Sequence, residues 1–331
     1  MISLIKDSKK WDEAAENSYY PYVSYKYGWL YSIGLSFPRW KPLPLASISD
    51  EGNIEYLCPC FLDIKKAEII SSPLLAPGFI NKNTNPLEMV KSLICYARRK
   101  GCGKIDLQVP PGFNYSESLL ASGFRLKRKI CFFNLDLSGI DSFEYYLNHN
   151  LSKGRKSDIK AAWQKGLEID ILTPSEEALN RFYPFYLDMC QRKSAQVLGK
   201  EFISLLGQSL RETARYWIAR VKGQDAGSAV TFEFNTILWI WLLQADRNFK
   251  DYKVDSFLYA EIIKYSIEKK IKTIDLGTSP LDDSLGNYKK RFGAKPVFHE
   301  LYELDLSLSG VLFRAYVDLK RTIKNKLFRP S

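Results

Sequence analysis

The sequence predicts two copies of one α/β unit in tandem, each with a mixed, mostly antiparallel sheet flanked by helices. Two short motifs carry this prediction, because both recur at the same separation without a gap. Residues 104–107 read KIDL and residues 273–276 read TIDL, while residues 135–138 and 304–307 both read LDLS. The members of each pair lie 169 positions apart. A fixed period of this kind indicates an internal duplication.

The elements around the motifs repeat in the same order. An amphipathic helix precedes each IDL strand, and its apolar residues follow helical spacing. After each strand come a turn that contains proline, a short helix and a final strand. The apolar helix positions are Met89, Val90, Leu93, Ile94 and Ala97 in the first copy and Leu258, Ile262, Ile263 and Ile267 in the second.

Three strands are predicted before the amphipathic helix in each copy. They alternate apolar and polar residues or form short apolar runs, and turn sequences such as SDEGN and GQDAG separate them. The predicted strands are residues 41–48, 54–62 and 67–71 in the first copy and residues 216–222, 228–234 and 237–245 in the second. Each copy is therefore a three-stranded meander followed by helix, strand, helix and strand.

The repeat places a first domain at residues 1–140 and a second domain at residues 141–307. The remaining segment, residues 308–331, has apolar residues at helical spacing and a strong excess of Lys and Arg. It predicts a C-terminal basic amphipathic helix. Such a helix can lie on an anionic membrane surface, or it can pack on the protein with its basic face in water, and the sequence leaves both open.

The composition restricts the kinds of partner. A net charge of +11 favours an anionic partner such as nucleic acid, an acidic membrane or a phosphate-bearing substrate, although a protein can simply be basic. Two histidines and six scattered cysteines argue against a zinc site. The N-terminal residues lack an apolar core of signal-peptide length, and no apolar run approaches the roughly 20 residues of a membrane span. We expect a cytoplasmic protein, with peripheral contact to the inner face of the membrane as an alternative.

Particular stretches of the chain carry a resemblance to a known family. The meander followed by helix, strand, helix and strand is the element order of GNAT acyltransferases. Two such units in tandem resemble the Fem-type peptidoglycan peptidyltransferases and their acetyltransferase-like relatives. The opening stretch KKW…YYPYVSYKYGWLYSIG, the basic helix RKSDIKAAWQKGLEIDIL and the closing motif GNYKKRFGAKP of residues 286–296 resemble segments of that family. The resemblance covers roughly residues 10 to 307.

The resemblance implies an N-acyltransferase that acts on an amino group of a cell-surface sugar or a peptidoglycan-type precursor. It implies acyl-CoA or aminoacyl-tRNA as co-substrate, no tightly bound cofactor, no metal, and no DNA partner. A lipid-linked acceptor at the membrane fits the basic C-terminal segment. The alternatives are an aminoacyl-tRNA-dependent peptidyltransferase of the Fem type and a non-catalytic binding module in surface-polymer assembly.

Two departures bear on the tRNA-dependent alternative. Family members that use aminoacyl-tRNA often carry a long helical hairpin in the second domain, and the segment from Phe182 to Arg215 is too short for one. Some members also place a lysine directly after the second tryptophan, whereas Leu30 follows Trp29 here. Both departures favour the looser, acetyltransferase-like relatives.

Lys289 is the first candidate catalytic residue, because it matches the lysine of the family's closing motif. A lysine beside an acyl carbonyl can stabilise the negative charge that develops there. Tyr288 is expected to line the same pocket and bind substrate. The alternative is that Lys289, Lys290 and Arg291 form a solvated basic turn.

The end of the strand at residues 237–245 is the second candidate region, since the acyl donor of GNAT folds runs beside it. We expect Asp246 to take part in proton transfer, and Gln244 and Trp241 to contact substrate. Alternatively, this is an exposed strand end that leads into a loop. Strict alternation would place Trp239, Trp241 and Leu243 on one face and Ile240, Leu242 and Gln244 on the other.

The helix after this loop is predicted to bind the donor phosphates at its N-terminus, where backbone N–H groups are free. Ser256 would contribute there together with Lys250 and Lys253, and Asp255 or Ser256 would be the N-cap. The loop lacks the glycines of a CoA-binding GNAT loop, which weakens the case for the usual mode of CoA binding. Arg192, at the end of an aromatic helix, is a further candidate for substrate binding.

Asp106 and Asp275 are the equivalent acidic residues of the two IDL motifs. An active site ordinarily occupies one copy of a duplication, so an acid that both copies share is interpreted as structural. Nearly all candidates for chemistry lie in the second copy, and the first copy is interpreted as its duplicated scaffold.

Overall fold

The computed structural model describes residues 2–18, 20–49, 51–71, 86–112 and 115–307. The predicted C-terminal helix at residues 308–331 lies outside these residues. The chain divides into two compact units. Unit 1 takes its described residues from the ranges Met1–Asp7, Phe37–Lys129 and His299–Ser331, and unit 2 takes them from Ser8–Ser36 and Ile130–Phe298.

Strands and helices alternate along the chain much as the sequence predicts. The strands are β1 (Ile2–Leu4), β2 (Trp40–Ile48), β3 (Ile54–Asp63), β4 (Glu68–Ile70), β5 (Lys104–Val109), β6 (Arg125–Asp136), β7 (Glu168–Leu172), β8 (Ala214–Val221), β9 (Gln224–Phe234), β10 (Ile237–Ala245), β11 (Thr273–Thr278) and β12 (Lys295–Asp305). The helices are α1 (Ser8–Glu16), α2 (Tyr27–Ser36), α3 (Pro86–Arg99), α4 (Ser116–Ala121), α5 (Phe143–His149), α6 (Lys153–Gln164), α7 (Glu176–Lys193), α8 (Lys200–Ser209), α9 (Val254–Glu268) and α10 (Ser284–Lys290). Short 3-10 turns cover Val23–Tyr25 and Arg247–Tyr252.

The sheet of unit 1 has the strand order β1-β2-β3-β4-β5-β12. Neighbours are antiparallel except β4 and β5, which are parallel and are connected through helix α3. The core between this sheet and α3 contains the apolar helix residues predicted from spacing, including Leu93 and Ala97, which are completely buried. The predicted amphipathic helix of the first copy is therefore confirmed.

The sheet of unit 2 has the order β7-β8-β9-β10-β11-β6. Its one parallel pair is β10 with β11, connected through helix α9, and its other neighbours are antiparallel. The two units therefore share one pattern of pairing. This confirms the predicted fold class of repeated α/β units with mixed, mostly antiparallel sheets.

The compact units exchange the last strands of the two copies. In β6, residues 132–136 pair with β11 of unit 2, and in β12, Glu300–Asp305 pair with β5 of unit 1. Each IDL strand thus receives its antiparallel neighbour from the other copy. The predicted domains at residues 1–140 and 141–307 follow the chain, whereas the compact units are built from discontinuous segments.

The segment from Ser8 to Ser36, which the sequence assigns to the first domain, belongs to unit 2. Its two tryptophans, Trp11 and Trp29, are completely buried. The Trp29 ring packs against Phe232 and Trp239, with ring centroids 5.7 Å and 5.5 Å away. Burial of these aromatic side chains in unit 2 stabilises the packing of the segment there instead of in unit 1.

None of the helices formed by the described residues combines the length and the apolarity that crossing a membrane requires.

Candidate functional site

The parallel strands β10 and β11 diverge where the candidate site lies. Their register runs from Ile237 with Thr273 to Trp239 with Asp275. Beyond that point the pairing of β10 with β9 shifts between Ile240 and Leu242, and the pairing of β11 with β6 shifts as well. A β-bulge bends its strand and interrupts the ladder. The pairing of β10 with β11 therefore ends at Trp239 and Asp275, and the two strands diverge beyond this point.

The bulge corrects the predicted alternation of β10. Leu243 packs against the same core cluster that contains Ile240, whereas strict alternation placed these two residues on opposite faces. Trp241 packs instead beside Trp29 and Phe232, with ring centroids 6.3 Å and 5.6 Å away. The extra residue of the bulge reverses the alternation for the rest of the strand.

A cavity of about 400 Å³ lies at this end of β10. It brings together three residues that the sequence nominated for substrate binding, namely Gln244, Tyr288 and Arg192. The remaining lining residues were not predicted. They are Lys193, Leu243, Ala245, Asp255, Tyr259, Ser284 and Leu285. The cavity wall therefore contains two tyrosine rings, two cationic side chains and one carboxylate.

Tyr288 is held in the wall by an arginine from another helix. The guanidinium of Arg155, on α6, lies 4.6 Å from the centre of the Tyr288 ring. Arg155 also donates a hydrogen bond of 3.0 Å to Ser256 Oγ, which lies 3.1 Å from Tyr288 Oη. Burial and the nearby Asp255 raise the pKa of Tyr288 well above its ordinary value. Tyr288 is thus a neutral donor or acceptor at neutral pH.

Ser256 does not lie where the sequence predicted it. Its side chain is completely buried and bound to Arg155 and Tyr288, so a phosphate does not reach its hydroxyl in this structure. Helix α9 begins at Val254, and its N-cap is Lys253 in the left-handed region (φ 59°), not Asp255 or Ser256. The predicted caps Asp255 and Ser256 therefore lie inside the helix, because the preceding 3-10 turn ends at Tyr252 and α9 begins directly after Lys253.

The other residues predicted around this loop are spread along its surface. Asp246 caps the 3-10 turn by accepting a 2.8 Å hydrogen bond from Asn248 N. Lys250 is exposed in that turn, and Lys253 is partly exposed at the start of α9. The two lysines remain candidates for phosphate binding, while Asp246 has a structural partner and lies outside the set of residues that line the cavity.

Lys289 is a buried cation rather than part of a solvated turn. Its side chain on α10 is 3% exposed, and Nζ donates hydrogen bonds to the carbonyl oxygens of Gly277 (3.0 Å) and Thr278 (3.1 Å). Burial lowers the pKa of Lys289 to about 8, against the opposing effect of Asp275. Lys289 thus lies at the end of β11, outside the set of residues that line the cavity.

Asp275, at the end of the paired part of β11, lies beside this lysine. Its carboxylate is 1% exposed, accepts a hydrogen bond from Tyr22 Oη, and accepts another from Gly277 N at 2.6 Å. Burial raises the pKa of Asp275 to about 6. Asp106, its equivalent in the first copy, instead forms ion pairs with nearby lysines. The two shared acids have therefore taken different roles.

Sequence reasoning did not nominate Arg155, Lys193, Asp255 or Tyr22 for the site. Arg155 lies in the basic stretch RKSDIK, and Lys193 directly follows the nominated Arg192. Both stretches are rich in basic residues, and nothing in their spacing distinguishes an inward-pointing basic residue from its exposed neighbours. Tyr22 lies 253 positions from its partner Asp275, and no local pattern records such a contact.

A known family profile matches the part of the chain that contains the candidate site. Residues 152–290 match the family profile described as an acetyltransferase (GNAT) domain. That range contains the bulged strand, helix α9 and the lysine-bearing helix α10. Comparison with curated protein sequences gives no match.

Several solved structures have a similar fold. FemX superposes with a TM-score of 0.76 at 13% identity, over 92% of this chain and 97% of FemX. L-PGS from Bacillus licheniformis gives a TM-score of 0.60 at 12% identity, over 91% and 93%. A tandem GNAT protein from the clavulanic acid biosynthesis pathway gives 0.58 at 12%, over 93% and 98%. The chain therefore has a tandem GNAT fold that is similar to the fold of FemX, in agreement with the resemblance inferred from sequence.

Proposed function

We propose that the chain is an N-acyltransferase that works where β10 and β11 diverge. The observation that carries this proposal is Lys289, a cation held by two carbonyl groups at the point of divergence of a GNAT-type fold. A buried ammonium is costly to maintain unless it is well paired. Its retention beside a substrate-sized cavity favours a role in the reaction.

The proposed reaction needs no covalent intermediate on the protein. The acceptor nitrogen attacks the carbonyl carbon of a thioester or ester donor, and a tetrahedral intermediate carries the negative charge on oxygen. The bond from carbon to the donor sulfur or oxygen then breaks, an amide remains, and the amine proton passes to the leaving group. The protein must orient the two substrates, stabilise the oxyanion and move this proton.

Lys289 is the proposed source of oxyanion stabilisation. An ammonium has three N–H donors, and Gly277 and Thr278 accept two hydrogen bonds from it. The third donor remains for a developing oxyanion. With its pKa at about 8, most Lys289 side chains are protonated at neutral pH, which is the form this role requires.

The cavity supports binding of an anionic co-substrate. Arg192 and Lys193 bring two cations to its rim, while Tyr259 and Tyr288 supply flat apolar surface. Lys250 and Lys253 follow at the start of α9, where helix N–H groups favour a phosphate. We propose acyl-CoA or aminoacyl-tRNA as the donor, because both carry phosphate and an activated acyl group.

The proposed acceptor is an amino group on a cell-surface sugar or a peptidoglycan-type precursor, as the Fem-type resemblance implies. A lipid-linked form of that acceptor would bring the protein to the membrane surface. An aminoacyl-tRNA-dependent peptidyltransferase is the second candidate, favoured by the net charge of +11 and by the similarity to FemX along most of the chain.

Donor identity can be tested directly with the purified full chain. We would supply labelled acetyl-CoA or labelled aminoacyl-tRNA, each with a panel of amino sugars and peptide amines, and follow label in the amide product. Transfer from acetyl-CoA supports the leading proposal, and transfer from aminoacyl-tRNA alone supports the second. Transfer from neither, with a folded protein, contradicts both and favours a non-catalytic binding module.

Filling the cavity is expected to weaken substrate binding. Leu285 lines the cavity and is 37% exposed, so Leu285→Trp places a large ring there without disturbing the core. We expect the KM of the donor or acceptor to rise by about tenfold or more, measured by steady-state kinetics.

The matched control for the cavity variant is Leu281→Trp. Leu281 has the same exposed fraction and lies just before α10, outside the set of residues that line the cavity. Its KM values should equal those of the wild type. Equal KM values in both variants would show that this cavity does not hold substrate.

A further inference from the structure

The last residues of β11 are arranged around the Asp275 carboxylate. Gly277 has a φ of +76°, a conformation that favours glycine, and its N–H donates to Asp275 Oδ1 at 2.6 Å. The carbonyl oxygens of Gly277 and Thr278 then both face Lys289 Nζ, at 3.0 Å and 3.1 Å. The Asp275 carboxylate therefore fixes the peptide group that directly precedes the two carbonyl groups facing the lysine.

In the first copy, the backbone N–H equivalent to that of Gly277 has a different hydrogen-bond acceptor. Gln108 lies at the repeat offset from Gly277, and its N–H donates to Ser71 Oγ at 2.6 Å. The half-buried carboxylate of Asp106 instead pairs with two nearby lysines. The strand motif therefore does not by itself require its acid to bind the amide two residues later. Only the copy that carries Lys289 uses it in this way.

The second oxygen of Asp275 is held by Tyr22. The Tyr22 hydroxyl donates to Oδ2 of the carboxylate, and the Tyr22 ring packs on Trp239 with 5.3 Å between ring centroids. Tyr22 is 1% exposed. Both carboxylate oxygens thus have a protein donor in a fully buried environment, which restricts the side chain to one orientation.

We propose that Asp275 is a positioning residue, which holds the irregular end of β11 so that Gly277 and Thr278 accept hydrogen bonds from Lys289, and which keeps a negative charge beside the ammonium. The proposal rests on the proposed function, in which Lys289 stabilises the oxyanion. Tyr22 completes the arrangement by fixing the carboxylate. Asp275 itself acts through Lys289 and does not need to contact substrate.

The charges around Lys289 determine in which direction its pKa changes when Asp275 is replaced. Asp275 on β11, Asp283 before α10 and Cys131 on β6 favour the protonated form, whereas Lys193 on α7 disfavours it. Removal of the Asp275 charge therefore lowers the Lys289 pKa below about 8.

The pKa of Asp275 depends on its burial and on the groups that face its carboxylate. Tyr22 and the Gly277 N–H donate to its carboxylate, and Lys289 lies beside it. Tyr20 also lies close, and Asp275 raises the pKa of that tyrosine together with burial. Burial dominates and raises the pKa of Asp275 to about 6. Above that pH the carboxylate is charged and supports the ammonium.

The test is a lysine titration in the full chain, which does not depend on knowing the substrates. Lysines labelled with ¹³C at Cε are followed by NMR, and the Lys289 signal is assigned by its loss in Lys289→Arg. The wild-type midpoint should lie near 8, as burial predicts. In Asp275→Asn it should fall by about one pH unit, the effect of losing an adjacent opposite charge. In Asp106→Asn, the matched control in the other copy, it should not move.

A second variant keeps the proposal testable if Asp275→Asn does not fold. Tyr22→Phe retains the carboxylate and removes one of its hydrogen bonds, so the Asp275 pKa should rise above about 6. The Lys289 signal should also respond when the neighbouring Asp275 carboxylate ionises, at about pH 6 in the wild type. In Tyr22→Phe this response should move to higher pH. An unchanged Lys289 titration in a folded Asp275→Asn or Tyr22→Phe variant, or an equal change in Asp106→Asn, overturns the proposal.

Kinetics separate this inference from the proposed function. A positioning role predicts that Asp275→Asn lowers kcat and moves the alkaline limb of the pH profile to lower pH, with the donor KM retained. A purely structural role would lower the amount of folded enzyme without moving that limb, which would also overturn the inference. Full activity of Lys289→Ala would instead refute the function assigned to Lys289, whatever the titration shows.

Discussion

Lys289→Ala is expected to lower the rate of acyl transfer by about 10²–10³-fold, the usual effect of removing one oxyanion donor. The ammonium is 3% exposed and is positioned by two carbonyl groups at the divergence of β10 and β11. Alanine removes the ammonium that is proposed to stabilise the developing negative charge. The loss should appear in kcat, because the proposed interaction forms in the transition state rather than with bound substrate.

The matched control for this variant is Lys290→Ala. Lys290 is the next residue of α10, and its Nζ donates to the carbonyl oxygen of Leu281 at the surface. Its removal should leave kcat within about twofold of the wild type, since most surface substitutions are nearly neutral. A Lys289→Ala variant that is folded and as active as Lys290→Ala would refute the proposed role.

The pH dependence of the wild-type rate follows from the same lysine. The active form is the ammonium, and burial places its pKa at about 8. The contribution of Lys289 to the rate should therefore be fully present below this pH and be lost as pH rises through it. Lys289→Arg provides the sharper comparison, because a guanidinium stays charged at all accessible pH values. Its residual activity should lack the alkaline fall.

The second large effect concerns stability. Gly286→Ala is expected to lower the free energy of unfolding by about 2–3 kcal/mol. A Cβ at this position would lie 2.5 Å from the carbonyl oxygen of Pro280 and 3.1 Å from both Leu281 O and Phe133 Cζ. Two of these atoms belong to backbone, so the helix must move rather than the neighbours. Because α10 carries Tyr288 and Lys289, activity should fall together with stability.

Gly154→Ala is the control for the glycine variant. Gly154 also lies within a helix, α6, and a Cβ there would meet nothing within 4 Å. Alanine at such a position should stabilise the protein by about 0.5 kcal/mol through the unfolded chain. Denaturant unfolding of both variants checks the pair. A Gly286→Ala protein as stable as Gly154→Ala would show that α10 is not packed as closely as described.

The site was only partly predictable, and the particular residues show why. Lys289, Tyr288, Gln244 and Arg192 were nominated from a family motif and from strand and helix ends, which are local features of sequence. Tyr288, Gln244 and Arg192 line one cavity, and the chemical roles of all four residues remain predictions. Asp275 was interpreted as structural because both copies have it. The copies share the residue but not its surroundings.

The sequence alone determined the duplication, the order of the elements and the class of the fold. These properties follow from the repeat offset and from apolar spacing, because each element's burial is recorded within its own few residues. Tertiary structure alone decided the exchange of last strands, the bulge of β10, the burial of Lys289 and the bond from Tyr22 to Asp275. Each of these depends on groups far apart in the chain that meet only after packing, and spacing within one element carries no record of such meetings.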